Sequence, residues 1–138
     1  MRLVDTNVLV YAVSNRAEDV LKRAKAASVL KEADLAISVQ VLQEFYNIAI
    51  RAGGPAGLTH EEAMNFLRGF RELPIQEITI ELFNRATEMK QKFGLSYWDA
   101  AILAAAGMLG CEAVYSEDLS HQQDYDGLRV INPFSDGN

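Results

Sequence analysis

The sequence predicts an α/β protein built on a central, mainly parallel sheet of about five strands with helices on both faces. Two observations carry this reading. Short apolar runs recur at residues 3–4, 35–38, 75–78, 113–115 and 129–131, and stretches with helical spacing alternate with them. Strands alternating with helices imply right-handed crossovers, which make neighbouring strands parallel. At 138 residues, 49% of them hydrophobic, the chain can enclose a real core, and a single domain over residues 1–138 is expected.

The elements follow in order. Residues 3–4 form a strand that Asp5 ends, and residues 7–12 resume as an apolar helical turn. After a break at Ser14 and Asn15, residues 17–33 carry helical spacing with Val20, Leu21, Ala24, Ala27 and Leu30 expected to face inward. A strand at 35–38 leads into a helix over 39–51, closed by Gly53, Gly54 and Pro55. That glycine-rich loop lacks the lysine and hydroxyl residue of a phosphate-cradling loop, and reads as a hinge or linker. Thr59 and Glu62 form a capping box that opens a helix to about residue 72. The third strand spans 75–78, and Thr79 caps a helix to Phe93, where Gly94 suits a left-handed cap. Ser96 opens a helix over 97–109, and strands at 113–115 and 129–131 complete the pattern.

Several function classes are excluded or narrowed. The longest apolar run, residues 100–109, is about half of the roughly 20 residues that span a bilayer. It reads as a core helix, so no membrane is expected as a partner. The N-terminus passes directly into strand pattern without a leader, which implies a cytoplasmic protein. The single Cys111 cannot form an internal disulfide and is expected to be a small buried residue. A net charge of −6 and a pI near 4.9 argue against a broad non-specific nucleic-acid surface. Basic residues are grouped locally: Lys22, Arg23, Lys25 and Lys31; Arg68 and Arg71; Lys90 and Lys92. Each group also reads as a solvated helix face.

Four carboxylates are candidates for one site. Asp5 follows the first strand and Asp118 follows the fourth, so both emerge at the carboxyl edge of a parallel sheet, where ligand crevices form. Asp5 also suits a helix N-cap and Asp118 a plain turn. Asp99 fits a capping pattern with Ser96, yet it is the only charged residue from Tyr97 to Leu109 on a helix apolar all round. It is therefore expected to be buried, and a buried carboxylate needs compensation. The helix N-terminus supplies part of it, and a divalent cation would supply more. Glu44 falls at the seam between a polar face and an apolar flank, and its role stays open from spacing alone. Asn7 and Ser116 can orient carboxylates and waters, or simply cap locally. Several acids in one crevice repel unless protonated or metal-bound. Oxygen ligands select hard cations, so Mg²⁺, with Mn²⁺ as a substitute, fits better than zinc. His60 and His121 lack partners at zinc spacing.

With these residues in hand, the sequence resembles the PIN-domain ribonucleases, and among them the VapC-type toxins of toxin–antitoxin pairs. The resemblance covers nearly the whole chain. It rests on Val4-Asp5-Thr6-Asn7-Val8-Leu9, Tyr97-Trp98-Asp99-Ala100-Ala101-Ile102, Ser116-Glu117-Asp118 and the ending Gly127 to Phe134. It implies a three-layer α/β/α fold with strand order 3-2-1-4-5, which sets strands one and four side by side. It also implies Asp5 and Asp99 as principal Mg²⁺ ligands, with Glu44 and Asp118 completing a catalytic acidic cluster. RNA would be the substrate, a cognate antitoxin protein would reach into the acidic crevice, and a homodimer is expected. In this chain Glu117 precedes Asp118, where the family often has Asn.

Two other classes suit parts of the same pattern. A phosphoaspartate phosphatase or receiver would use Asp5 as nucleophile, but the former favours a second Asp where Asn7 stands and the latter an adjacent acid pair. A non-catalytic binding module would keep the fold and offer the crevice to a partner peptide.

Overall fold

The structure of the protein, a computed structural model, describes residues 1–135; the expected domain end at residue 138 lies outside them. The elements run β1 (Arg2–Val4), α1 (Thr6–Val13), a 3₁₀ turn (Ala17–Asp19), α2 (Val20–Leu30), β2 (Leu35–Ser38), α3 (Val39–Ala49), α4 (His60–Arg68), β3 (Ile75–Gln76), α5 (Ile80–Phe93), α6 (Tyr97–Met108), β4 (Ala113–Tyr115), β5 (Asp124–Tyr125) and β6 (Leu128–Ile131). The sheet order is β3-β2-β1-β4-β6-β5. Every pair is parallel except β5 with β6.

Residues adjacent in sequence point to opposite faces of a strand, and the core divides accordingly. Leu3 and Val114 join the larger apolar cluster with α3, α5 and α6. Val4 and Tyr115 join a smaller one with Val8, Ala26, Val29 and Phe134, under α1 and α2. Helices thus cover both faces, as expected. The helix ends are set by local hydrogen bonds. Thr59 and Glu62 form the reciprocal capping box, Ser38, Thr79 and Ser96 each accept an amide from the first turn of their helix, and Gly94 closes α5 at φ 68°.

Three expectations are corrected. The sheet has six strands instead of five: Asp124–Tyr125 pairs antiparallel with the expected last strand and adds an edge. A two-residue turn makes it, with Asp126 at φ 56° and Gly127 at φ 89°, the geometry that suits an Asp-Gly hairpin. The α2 helix starts later than expected and rotates differently. Leu21 is 78% exposed and Val20 and Ala24 are also exposed, while Ala26 and Val29 are buried. Its inward stripe runs Lys22, Ala26, Val29 and Leu30, and the Lys22 ammonium sits over the Tyr11 ring at 4.8 Å and the Phe134 ring at 5.9 Å. Cys111 is half-buried, with burial pushing its thiol up to about 11.

Candidate functional site

The crossover from β3 to β4 carries the chain from one side of β1 to the other, so strand order reverses between β1 and β4. Val4 is in register with Tyr115, and the Asp5 amide donates to the Tyr115 carbonyl over 2.9 Å. Asp5 and Ser116 therefore leave adjacent strands side by side. A cavity of about 530 Å³ opens there, and Asp5, Glu44, Asp99 and Asp118 all line it, together with Asn7. Four acids drawn from the end of β1, the middle of α3, the start of α6 and the loop after β4 thus face a common space. Ser116 stands behind it, bonded to Asp5.

Asp5 is the deepest of them, only 4% exposed. Its Oδ1 accepts the Thr6 amide over 2.7 Å and its Oδ2 accepts the Ser116 hydroxyl over 2.7 Å. Burial pushes its carboxyl up to about 7, against the pull of those two bonds, and repulsion from Asp118 and Glu44 adds to the rise. Asp99 is half-buried rather than buried: it occupies the first turn of α6, while the fully apolar stretch begins one residue later. Its carboxyl is raised, chiefly by burial and further by the charge of Asp118, with the Ser96 hydroxyl opposing. Glu44, ambiguous by spacing, is half-buried, and its Oε1 accepts the Thr6 hydroxyl over 2.7 Å. Asp118 is exposed, and its Oδ2 accepts the Asn7 amide group over 3.2 Å.

Asn7 and Ser116 tie these acids together. Asn7 Oδ1 accepts the Glu117 amide over 3.2 Å, and Ser116 Oγ accepts the Asp118 amide over 3.1 Å. The loop after β4 is thereby fastened to the start of α1. His60 bonds Tyr46 and His121 accepts the Asn132 amide; neither lines the cavity.

Sequence reasoning missed two features. Thr6 bridges Asp5 and Glu44 through its amide and hydroxyl, and nothing in the sequence marks it apart from any first helical residue. Glu117 also lines the cavity, with Tyr11. Its carboxylate takes the Tyr11 hydroxyl at 2.6 Å and the Lys22 ammonium at 2.5 Å. Lys22, expected on a solvated face, instead holds this loop from behind.

A desolvated carboxylate flanked by further carboxylates is a set of hard oxygen donors short of positive charge, which fits Mg²⁺ or Mn²⁺. Among the described residues no three His, Cys, Asp or Glu side chains are placed to close on one ion. A cation held here would draw part of its coordination from water, as Mg²⁺ commonly does.

Fold and site together define an open, mainly parallel α/β protein with an acid-lined crevice at the reversal of strand order. Residues 2–127 match the family model for the PIN domain, and the chain belongs to that family. No curated protein sequence matches the chain significantly. Solved structures share its fold. A toxin–antitoxin complex from Klebsiella pneumoniae contains a chain 21% identical, with a TM-score of 0.72 over 97% of this chain and 98% of that one. VapC20 of Mycobacterium tuberculosis, described as a sarcin-ricin loop cleaving toxin, is 20% identical with a TM-score of 0.67 over 86% and 90%. A chain of the DNA-bound VapBC from Salmonella typhimurium is 19% identical, with a TM-score of 0.62 over 94% and 95%. Among the described residues no helix is long and apolar enough to cross a membrane.

Proposed function

We propose that this chain is a Mg²⁺-dependent endoribonuclease, the toxin component of a VapBC-type pair, acting in the cytoplasm as a homodimer restrained by a cognate antitoxin. The observation that carries the reading is that Asp5, Glu44, Asp99 and Asp118 line one cavity at the β1/β4 edge. Family membership supports nuclease chemistry, and the VapC20 likeness supports RNA as substrate.

Asp5 and Asp99 would hold the cation, with Glu44 and Asp118 contributing directly or through water. When bound, Mg²⁺ supplies charge neutralisation toward the phosphodiester and a water of lowered pKa. The remaining work belongs to the chain. Ser116 and the Thr6 amide hold both Asp5 oxygens, which fixes the carboxylate plane before substrate arrives. The Thr6 hydroxyl occupies Glu44 Oε1 and so directs the other oxygen of that carboxylate. Asn7 sets Asp118, an exposed carboxylate suited to orient the attacking water and accept its proton.

Gel-resolved cleavage of structured RNAs with Mg²⁺ or Mn²⁺ tests this. Cleavage should be lost on chelation and in Asp5→Ala and Asp99→Ala; activity that survives both would reject the scheme. The phosphoaspartate reading is disfavoured because Asn7 stands where such a phosphatase would place its second Asp. Intact mass after incubation with a phosphoryl donor should show no adduct.

A further inference from the structure

One wall of the cavity is a face of α3. Gln40, Glu44, Asn47 and Ile48 line it, a spacing that places them on one helical face over about 12 Å. At one end the Gln40 side chain donates to the Trp98 carbonyl over 3.2 Å. At the other end, the loop after α3 accepts Asn15 twice, at the Pro55 carbonyl (2.9 Å) and the Ala56 carbonyl (3.2 Å). This brings Arg16 to that end, and both Trp98 and Arg16 line the cavity.

Trp98 is 64% exposed, so much of its indole is open to a ligand. Its ring is braced, since Tyr97 meets it edge-on at 5.0 Å and 87°, and Tyr97 in turn rests on Phe83 at 5.9 Å. Arg16 is the one basic side chain lining the cavity, and among the described residues it makes no ion pair. A braced flat indole, a row of carboxylates and an unengaged guanidinium therefore follow one another along a single cleft.

We infer that this cleft grips an unpaired stretch of RNA at two points, one base stacking on Trp98 and one phosphate held by Arg16, with the acids between them. The inference rests on the nuclease reading and assigns Trp98 and Arg16 as the side chains that hold its substrate. A base reaches an aromatic face only when it is free of its own helix, so paired RNA cannot use Trp98. Arg16 recognises phosphate irrespective of sequence and offsets part of the repulsion from the acids.

Trp98 is the only tryptophan in the chain, so its fluorescence reports on the stacking face itself. The probes are an adenine RNA hexamer, the same hexamer with abasic sugars, and a blunt RNA duplex, mixed rapidly in Mg²⁺ and read before turnover. The adenine hexamer should quench Trp98 by roughly half or more, while the abasic hexamer and duplex leave it unchanged. Trp98→Ala should raise KM for single-stranded RNA about tenfold with kcat nearly constant, and Trp98→Phe should restore it. Arg16→Gln should lower the slope of log affinity against log salt by about 0.7 for both hexamers.

Equal quenching by all probes, quenching by none, or an unchanged salt slope in Arg16→Gln would overturn the inference. So would a Trp98→Ala variant that keeps its KM but dissociates in sedimentation, which would assign the ring to a contact between proteins. Quenching without cleavage would defeat the nuclease reading and leave the grip standing; cleavage without quenching would do the reverse.

Discussion

Ser116 donates its hydroxyl to Asp5 Oδ2 over 2.7 Å across a separation of 111 residues. Both residues are buried, at 0% and 4% exposure, and the parallel pairing of β1 with β4 makes them neighbours. The bond fixes the innermost carboxylate of the cavity to the loop that carries Asp118.

Replacing Ser116 by Ala should therefore act on stability and on the site together. A buried acceptor left without its donor costs about 1–3 kcal/mol. Because that bond pulls the Asp5 carboxyl down, its loss should drive the group still higher. Urea denaturation in EDTA should show the lowered midpoint, and calorimetric Mg²⁺ titration should show weaker binding.

The metal-free fold should weaken as pH rises from about 4 to about 7. The Asp5 carboxyl stands at about 7 in the folded chain against 3.8 as the ordinary value. The folded chain keeps a proton there that the unfolded chain has lost, so this contribution is full below about pH 4 and gone above pH 7. Between those limits each pH unit removes up to about 1.4 kcal/mol. Melting curves in EDTA at pH 5 and pH 8 should show the loss, Asp5→Asn should flatten it, and Mg²⁺ should restore stability at pH 8.

Thr6→Val keeps the shape of the side chain and removes the hydroxyl that meets Glu44. Cleavage should fall by about 10- to 100-fold, the usual effect of losing a residue that orients a metal-site carboxylate. The melting temperature should move little, since the Thr6 amide still holds Asp5. Activity equal to the parent protein would remove Thr6 from the site.

Thr59→Ala provides the opposite pattern. It abolishes the reciprocal capping box of α4, which lies away from the acid-lined cavity. Denaturation should show a cost of about 1 kcal/mol, with cleavage per folded molecule unchanged.

Much of this architecture was legible because local chemistry marks it. Thr59, Thr79 and Ser96 announce helix starts, Gly94 announces an end, and each does so in the structure. The α2 face was misread because its short apolar residues surround the helix and the Lys22 ammonium turns inward to Glu117 and the Tyr11 ring. The edge strand β5 carried an available signal in Tyr125-Asp126-Gly127-Leu128, which marks a tight hairpin despite the brevity of its strands. Asp5, Asp99 and Asp118 could be nominated because each stands at the end of a strand or the start of a helix. Glu44 could not be decided by its helical position; only the Thr6 bond and the cavity place it inward. Thr6 itself was invisible, since its role depends on two acids 38 and 1 residues away being brought to its two polar groups.

Manganese titration of the metal-free protein, followed by electron paramagnetic resonance, tests most directly whether Asp5 and Asp99 serve a common ion. The parent should show a tight Mn²⁺ site that Mg²⁺ displaces, and Asp5→Asn and Asp99→Asn should each abolish that site while remaining folded. Tight Mn²⁺ binding that persists unchanged in either variant would contradict the account.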